Sequence, residues 1–271
     1  MRLGLIGFGN IATTLIGLLQ NGGLVPEGLV VQVRPGCGDK VRAELETRCP
    51  DLAAEVVSDT DDLLAARPDL VVECAGHSAV TSYVPLVLQA GIDVLVVSVG
   101  ALADAALQTE LTKAAQQGGA RLILPAGAVA GVDMLAALGA ADAVSVRYRG
   151  TKPPQAWAGT PAEDALDLAA LTEPATFFTG TAREAARCYP KNANVAATLA
   201  LAGPGFEATE VALVADPAAT GNIHEYDVEA PAARYSIRIE GKPSTGNIKT
   251  SVTTVYSVFR EIRNRVGPVA I

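Results

Sequence analysis

The sequence predicts an α/β chain of two domains, a doubly wound parallel sheet over residues 1–140 and an α+β domain on a mostly antiparallel sheet over 141–271. Three observations predict it. Short, continuously apolar runs such as VVEC and VLVVSV alternate with helix-like segments through the first half, as parallel strands covered on both faces do. After about residue 142 the apolar period changes to two, the mark of an antiparallel sheet with one buried face. Near the end, Val252, Val255, Tyr256, Phe259, Ile262 and Val266 form one helical stripe. At 271 residues and 49% hydrophobic, the chain can bury a large core.

In order, the first-half strands are expected at Arg2–Ile6, Leu29–Arg34, Glu55–Ser58, Leu70–Cys74, Asp93–Val99 and Arg121–Pro125. Helices are expected at about 10–21, 39–48, 60–66, 79–90, 104–117 and 129–140, where apolar residues recur near 3.6, as in Ile11, Leu15, Leu18 and Leu19. Right-handed crossovers then follow. The second-half strands are Ala143–Arg149, Thr176–Thr179, Thr209–Ala215, His224–Glu229 and Tyr235–Glu240, with helices near 181–188 and 193–202. A last helix over about 247–266 is expected to pack back across the domain boundary.

The balance of 21 basic and 29 acidic residues, net −8, argues against a phosphate-backbone binder. Aromatics at 4% argue against a single-strand stacking platform. No apolar run reaches the roughly 18 residues of a membrane span, and MRLGLIGFGN reads as structure rather than as a signal peptide. Cys37, Cys49, Cys74 and Cys188 form no CxxC pair and no metal-ligand spacing, so no metal is expected and the cytoplasm is the simplest compartment.

Gly7-Phe8-Gly9-Asn10-Ile11-Ala12 follows the first strand and opens a helix, which fits the Rossmann dinucleotide fingerprint. Gly7 serves the tight turn, Gly9 the approach of the pyrophosphate, and Ala12 the packing of helix on strand. Asn10 and Ile11 lie in the first turn, whose amides and dipole hold phosphate. The second strand ends in Val33-Arg34-Pro35, with Asp39 some residues on. An Arg there suits a 2′-phosphate, so both NAD and NADP are expected, while stacking on adenine or pointing to solvent is the competing role for Arg34. Small residues at three strand ends, Cys74-Ala75-Gly76-His77, Ser98-Val99-Gly100-Ala101 and Pro125-Ala126-Gly127-Ala128, leave room for a flat nicotinamide.

The two histidines are His77, at a cofactor-facing strand end, and His224 in GNIHEY. Period two puts His224 on one face with Tyr226 and Val228, and Glu225, Asp227 and Glu229 on the other. A packed core histidine is the plain reading; against it, hydride-transfer chemistry needs a group that titrates near neutrality. Asn194 opens an Ala-rich helix, either as an ordinary cap or as a ligand contact. Lys191 is either a base, a carboxylate binder or a solvated cation. Arg147, Arg149 and Lys152 gather near a strand end, where they attract an acidic substrate or merely aid solubility.

These segments together resemble the L-aspartate dehydrogenase family. The matching pieces are GFGNIA, ECAGHSAV, SVGALAD, LPAGAVAGVD, RGTKPP, YPKNANVAATLALAGPGFEATEVALVADP, GNIHEY and KTSVTTVYSVFREIRN, which span nearly the whole chain in family order. The resemblance implies a homodimeric oxidoreductase with NAD or NADP. It implies oxidative deamination of L-aspartate to oxaloacetate and ammonia through iminoaspartate, linked in some members to NAD biosynthesis. It also implies His224 as the active-site histidine, and Ala128 and Asn194 as cofactor contacts. One departure is Ile248 in GNIKT, where many relatives are expected to carry proline; it falls in an expected turn.

Two other readings stand beside this one. The first is another Rossmann-type enzyme of a small acidic metabolite, such as a homoserine dehydrogenase or a dihydrodipicolinate reductase. The second is a non-catalytic dinucleotide sensor.

Overall fold

A computed structural model of the chain describes residues 1–139, 143–242 and 252–271. Two compact units divide it, Met1–Pro125 with Val255–Ile271, and Ala126–Thr254.

The first unit runs β1 (Arg2–Ile6), α1 (Asn10–Asn21), β2 (Gly28–Gln32), α2 (Gly38–Arg48), β3 (Ala54–Val57), α3 (Thr60–Ala65), β4 (Leu70–Glu73), α4 (His77–Gln89), β5 (Val94–Val96), α5 (Ala105–Gly118) and β6 (Leu122–Ile123). The strands form one parallel sheet in the order β3-β2-β1-β4-β5-β6. The order reverses between β1 and β4, which is where ligands bind beyond the carboxyl ends of such sheets. Leu3, Leu5, Val31 and Val72 build the core on one sheet face with Ala12, Leu15 and Leu19 of α1. Several strands stop short of their apolar runs. Asp93–Val99 contributes only Val94–Val96, because Val99–Ala103 coils into a 3₁₀ turn.

The second unit contains α6 (Val132–Leu138), β7 (Ser145–Lys152), α7 (Ala162–Ala165), β8 (Ala175–Thr181), α8 (Ala182–Cys188), α9 (Asn194–Ala202), β9 (Thr209–Ala215), β10 (Ile223–Ala230) and β11 (Ala233–Glu240). Its sheet order is β11-β10-β7-β9-β8, antiparallel throughout except for β7 with β9. One face buries Val146, Tyr148, Tyr226 and Val228; the Glu229–Arg234 ion pair is exposed, and in the Glu225–Arg238 pair Glu225 is half-buried. α10 (Val252–Val266) ends the chain.

The first unit ends at Pro125 rather than at the expected 140. The reason is local. α6 packs on α9, and the Tyr226 hydroxyl of β10 donates to the Ala130 carbonyl, so the turn and helix after Pro125 join the second sheet. In α10, Val255, Val258 and Ile262 are buried in the first unit's core, and Arg265 pairs with Asp93 at 2.5 Å. The expected helix start at 247–251 and the Ile248 departure lie outside the described residues.

Candidate active site

A candidate nucleotide cradle is built on the β1–α1 turn of the first unit. Gly7 has φ +92°, and a Cβ there would meet the Ala75 Cβ at 2.7 Å, so the turn and the strand end of β4 require glycine. Gly9 caps α1 in extended backbone with no side-chain bond to the first-turn amides, and no acid lies in that turn. Those amides and the positive helix end are therefore open to an anion. A Cβ on Gly9 would project into empty space. Ala12 is fully buried in the sheet core, and Asn10 is exposed at the helix start.

A cavity of about 440 Å³ opens beside this turn and gathers Gly7, Gly9, Gln32, Arg34, Ala75 and Tyr83 among its walls. The expected fingerprint, the expected cofactor-choosing Arg34 and one expected strand end thus share one space. Arg34 is exposed, whereas Asp39 is engaged by Arg42 at 2.6 Å on α2. Gln32 is buried at the end of β2; its Nε2 donates to Thr60 Oγ1 at 3.0 Å, and its Oε1 has no hydrogen-bond partner among the described residues. An orphaned acceptor in the wall, a side-chain-free Gly9 and an uncapped helix start fit a dinucleotide. Gly76 and His77 begin α4, half-buried.

Sequence reasoning missed Glu73. This side chain, with no exposed surface, accepts the backbone amides of Ala75 at 2.8 Å and Gly76 at 2.7 Å, and from Ser98 both the amide at 3.0 Å and the hydroxyl at 3.1 Å. One carboxylate thereby ties together two of the strand ends expected to face the nicotinamide. The only signal was an acid closing an otherwise apolar strand, LVVE, immediately before small residues.

A separate group of candidate residues lies on β7 and β10, in the second unit. Antiparallel register sets His224 opposite Gly150 and Tyr226 opposite Tyr148. His224 is buried, with its Nδ1 hydrogen-bonded to the Tyr148 hydroxyl at 2.8 Å and the two rings stacked. Burial, with the nearby Lys152 charge, lowers His224 to about 4, so the imidazole is neutral at pH 7. Burial raises Tyr148, which keeps its proton.

Lys152 is only 9% exposed. Its Nζ donates to Asn192 Oδ1 at 2.5 Å and lies 5.0 Å from the centre of the Trp157 ring, and burial lowers it to about 8. The expected cluster of Arg147, Arg149 and Lys152 does not form. Side chains alternate along β7, so both arginines are exposed while Lys152 shares the buried face of Val146 and Tyr148. Lys191 is exposed. Ala128 is buried in the turn that Tyr226 anchors, and Asn194 is the first residue of α9, after an N-cap, Ala193, that gives no side-chain bond.

A family model described as aspartate dehydrogenase, C-terminal, matches residues 133–265, and one described as homoserine dehydrogenase, NAD binding domain, matches 7–125. The L-aspartate dehydrogenase of Ruegeria pomeroyi is 46% identical over 98% of this chain and 92% of its own. That of Cupriavidus necator is 42% identical over the full length of both. Among solved structures, aspartate dehydrogenase from Thermotoga maritima superposes with a TM-score of 0.75 at 29% identity, covering 100% of this chain and 99% of its own. The homoserine dehydrogenase likeness is confined to the nucleotide-binding half, a fold that many enzymes share.

Proposed function

This chain belongs to the L-aspartate dehydrogenase family, and from that premise we propose that it oxidatively deaminates L-aspartate, reversibly, to oxaloacetate and ammonia, with NAD or NADP. The observation that carries the reading is His224, buried, neutral and hydrogen-bonded to Tyr148 on the family-matched strand.

A bound nicotinamide dinucleotide would accept the hydride from the substrate's α-carbon. The chain's own residues do the rest. Gly7, Gly9, Asn10, Ile11 and Ala12 supply the pyrophosphate turn, and Arg34 meets a 2′-phosphate when NADP is used. Ala75, Gly76 and His77 would hold the nicotinamide end, and Ala128 and Asn194 would add further cofactor contacts. Loss of hydride and a proton converts aspartate to iminoaspartate. With the imine nitrogen protonated, His224 takes a proton from water as the oxygen adds to the imine carbon and returns that proton to the nitrogen; ammonia then leaves as the new hydroxyl gives up its proton and becomes the carbonyl. For Nε2 to act, Nδ1 must hold the ring hydrogen, which the Tyr148 oxygen accepts. A base lowered to about 4 is weak; burial is the larger cause, and the substrate's carboxylates would oppose the smaller one, the Lys152 charge.

The same reading makes the enzyme a homodimer in the cytoplasm, serving NAD biosynthesis or amino-acid metabolism. Among the described residues no helix is long and apolar enough to cross a membrane. The test is nicotinamide absorbance, followed with L-aspartate in the forward direction and with oxaloacetate plus ammonia in reverse. NADH binding without any aspartate-dependent change would favour a dinucleotide sensor instead.

A further inference from the structure

We infer that Lys152, held by Asn192 on the same sheet face as His224, receives a carboxylate of the substrate. The inference rests on the function proposed above and names the group that would recognise its acidic substrate. An ammonium this buried is normally matched by a carboxylate. Here no Asp or Glu pairs with it among the described residues; its partners are the neutral Asn192 amide oxygen and the face of Trp157. The position is therefore a desolvated cation lacking its counter-ion, and an amino dicarboxylic acid carries one.

The geometry also selects Lys152 over its neighbours. Arg147 and Arg149 lie on the opposite, exposed face of β7, and Arg183 is paired with Glu207. Lys152 sits two residues beyond Gly150, the cross-strand partner of His224, and its charge is felt at the imidazole. A carboxylate on Lys152 would hold the substrate beside the base. Lowered only to about 8, the amine keeps most of its charge at neutral pH, as an anchor needs.

The experiment uses succinate, a dicarboxylate with no amine to oxidise, titrated into the enzyme–NADH complex and read by NADH fluorescence. Steady-state KM for L-aspartate is measured in parallel. Lys152→Met should weaken succinate and raise KM by about thirtyfold, as loss of one charge-assisted pair does. Its NADH affinity should stay within twofold of wild type, and its melting temperature without ligand should equal or exceed wild type, because a buried charge is gone. Lys152→Gln, which keeps a donor without the charge, should show the same loss. Succinate binding within threefold of wild type in either folded variant overturns the inference. So does failure of both variants to fold, which would assign Lys152 to the architecture. Wild-type enzyme without aspartate-dependent NADH production removes the proposed function and this inference together; an active wild type with an unaffected variant removes this inference alone.

Discussion

The Tyr148 hydroxyl and His224 Nδ1 share one hydrogen bond at 2.8 Å, buried between adjacent strands, and its direction decides which ring nitrogen can take a proton. With the hydrogen on Nδ1, Nε2 is a base; with the phenol donating, Nε2 carries the hydrogen instead. His224→Asn should therefore deaminate aspartate at least about a hundredfold more slowly while binding NADH normally and melting near wild type. Tyr148→Phe, which removes the oxygen that selects the tautomer, should slow turnover about tenfold with KM little changed. A His224→Asn rate within about fivefold of wild type would sink the base assignment.

The pH dependence of stability follows from the same burial. His224 is lowered from the usual 6.5 to about 4, so between those values the unfolded chain binds a proton that the folded chain does not. Stability must then fall as pH drops through that window, by roughly 3 kcal/mol from this residue. Lys152 acts in a separate window: lowered from 10.5 to about 8, it makes stability rise as pH climbs between them. Chemical denaturation of wild type and His224→Asn from pH 7 to 4 isolates the histidine, because the remaining carboxylates titrate in both. Parallel curves would show that His224 titrates normally in the fold.

Glu73 offers a test of the loops it holds. Glu73→Gln keeps the shape but replaces one acceptor oxygen with a donor facing amides, so it should destabilise the chain by about 3 kcal/mol. With Ala75, Gly76 and Ser98 no longer tied, NADH affinity should fall at least tenfold. Wild-type affinity, read by fluorescence titration, would show that these loops need no such tie.

In the nucleotide cradle, the space around Gly9 separates folding from binding. A Cβ at Gly9 meets no atom within 4 Å, so Gly9→Val should fold and yet lose NADH, since the side chain occupies the pyrophosphate's approach. Arg34→Asp should lose catalytic efficiency with NADP selectively, through lost attraction and added repulsion. Equal losses with both cofactors would remove Arg34 from phosphate recognition.

Much of this molecule was legible because parallel strands covered on both faces read as apolar runs, and Gly7 and Gly9 stand directly after one of them. The face of His224 followed from period two alone. What escaped depended on register or burial. Tyr148 becomes the partner of His224 only once β7 and β10 are aligned, and Lys152 was grouped with Arg147 and Arg149 although alternation along β7 puts it opposite them. Glu73 carries no mark of its role in the sequence beyond its place at the end of an apolar strand, because its four donors come from residues up to 25 positions away.

The return of α10 to the first unit makes the second unit an insertion in a discontinuous host. Residues 126–254 are synthesised before the helix whose Val255, Val258 and Ile262 finish the other core. The nucleotide-binding half keeps part of its apolar surface uncovered until that helix has been made. Residues 1–125 alone are consequently a poor module for transplantation, and a graft of this cofactor site would need its closing helix spliced back on.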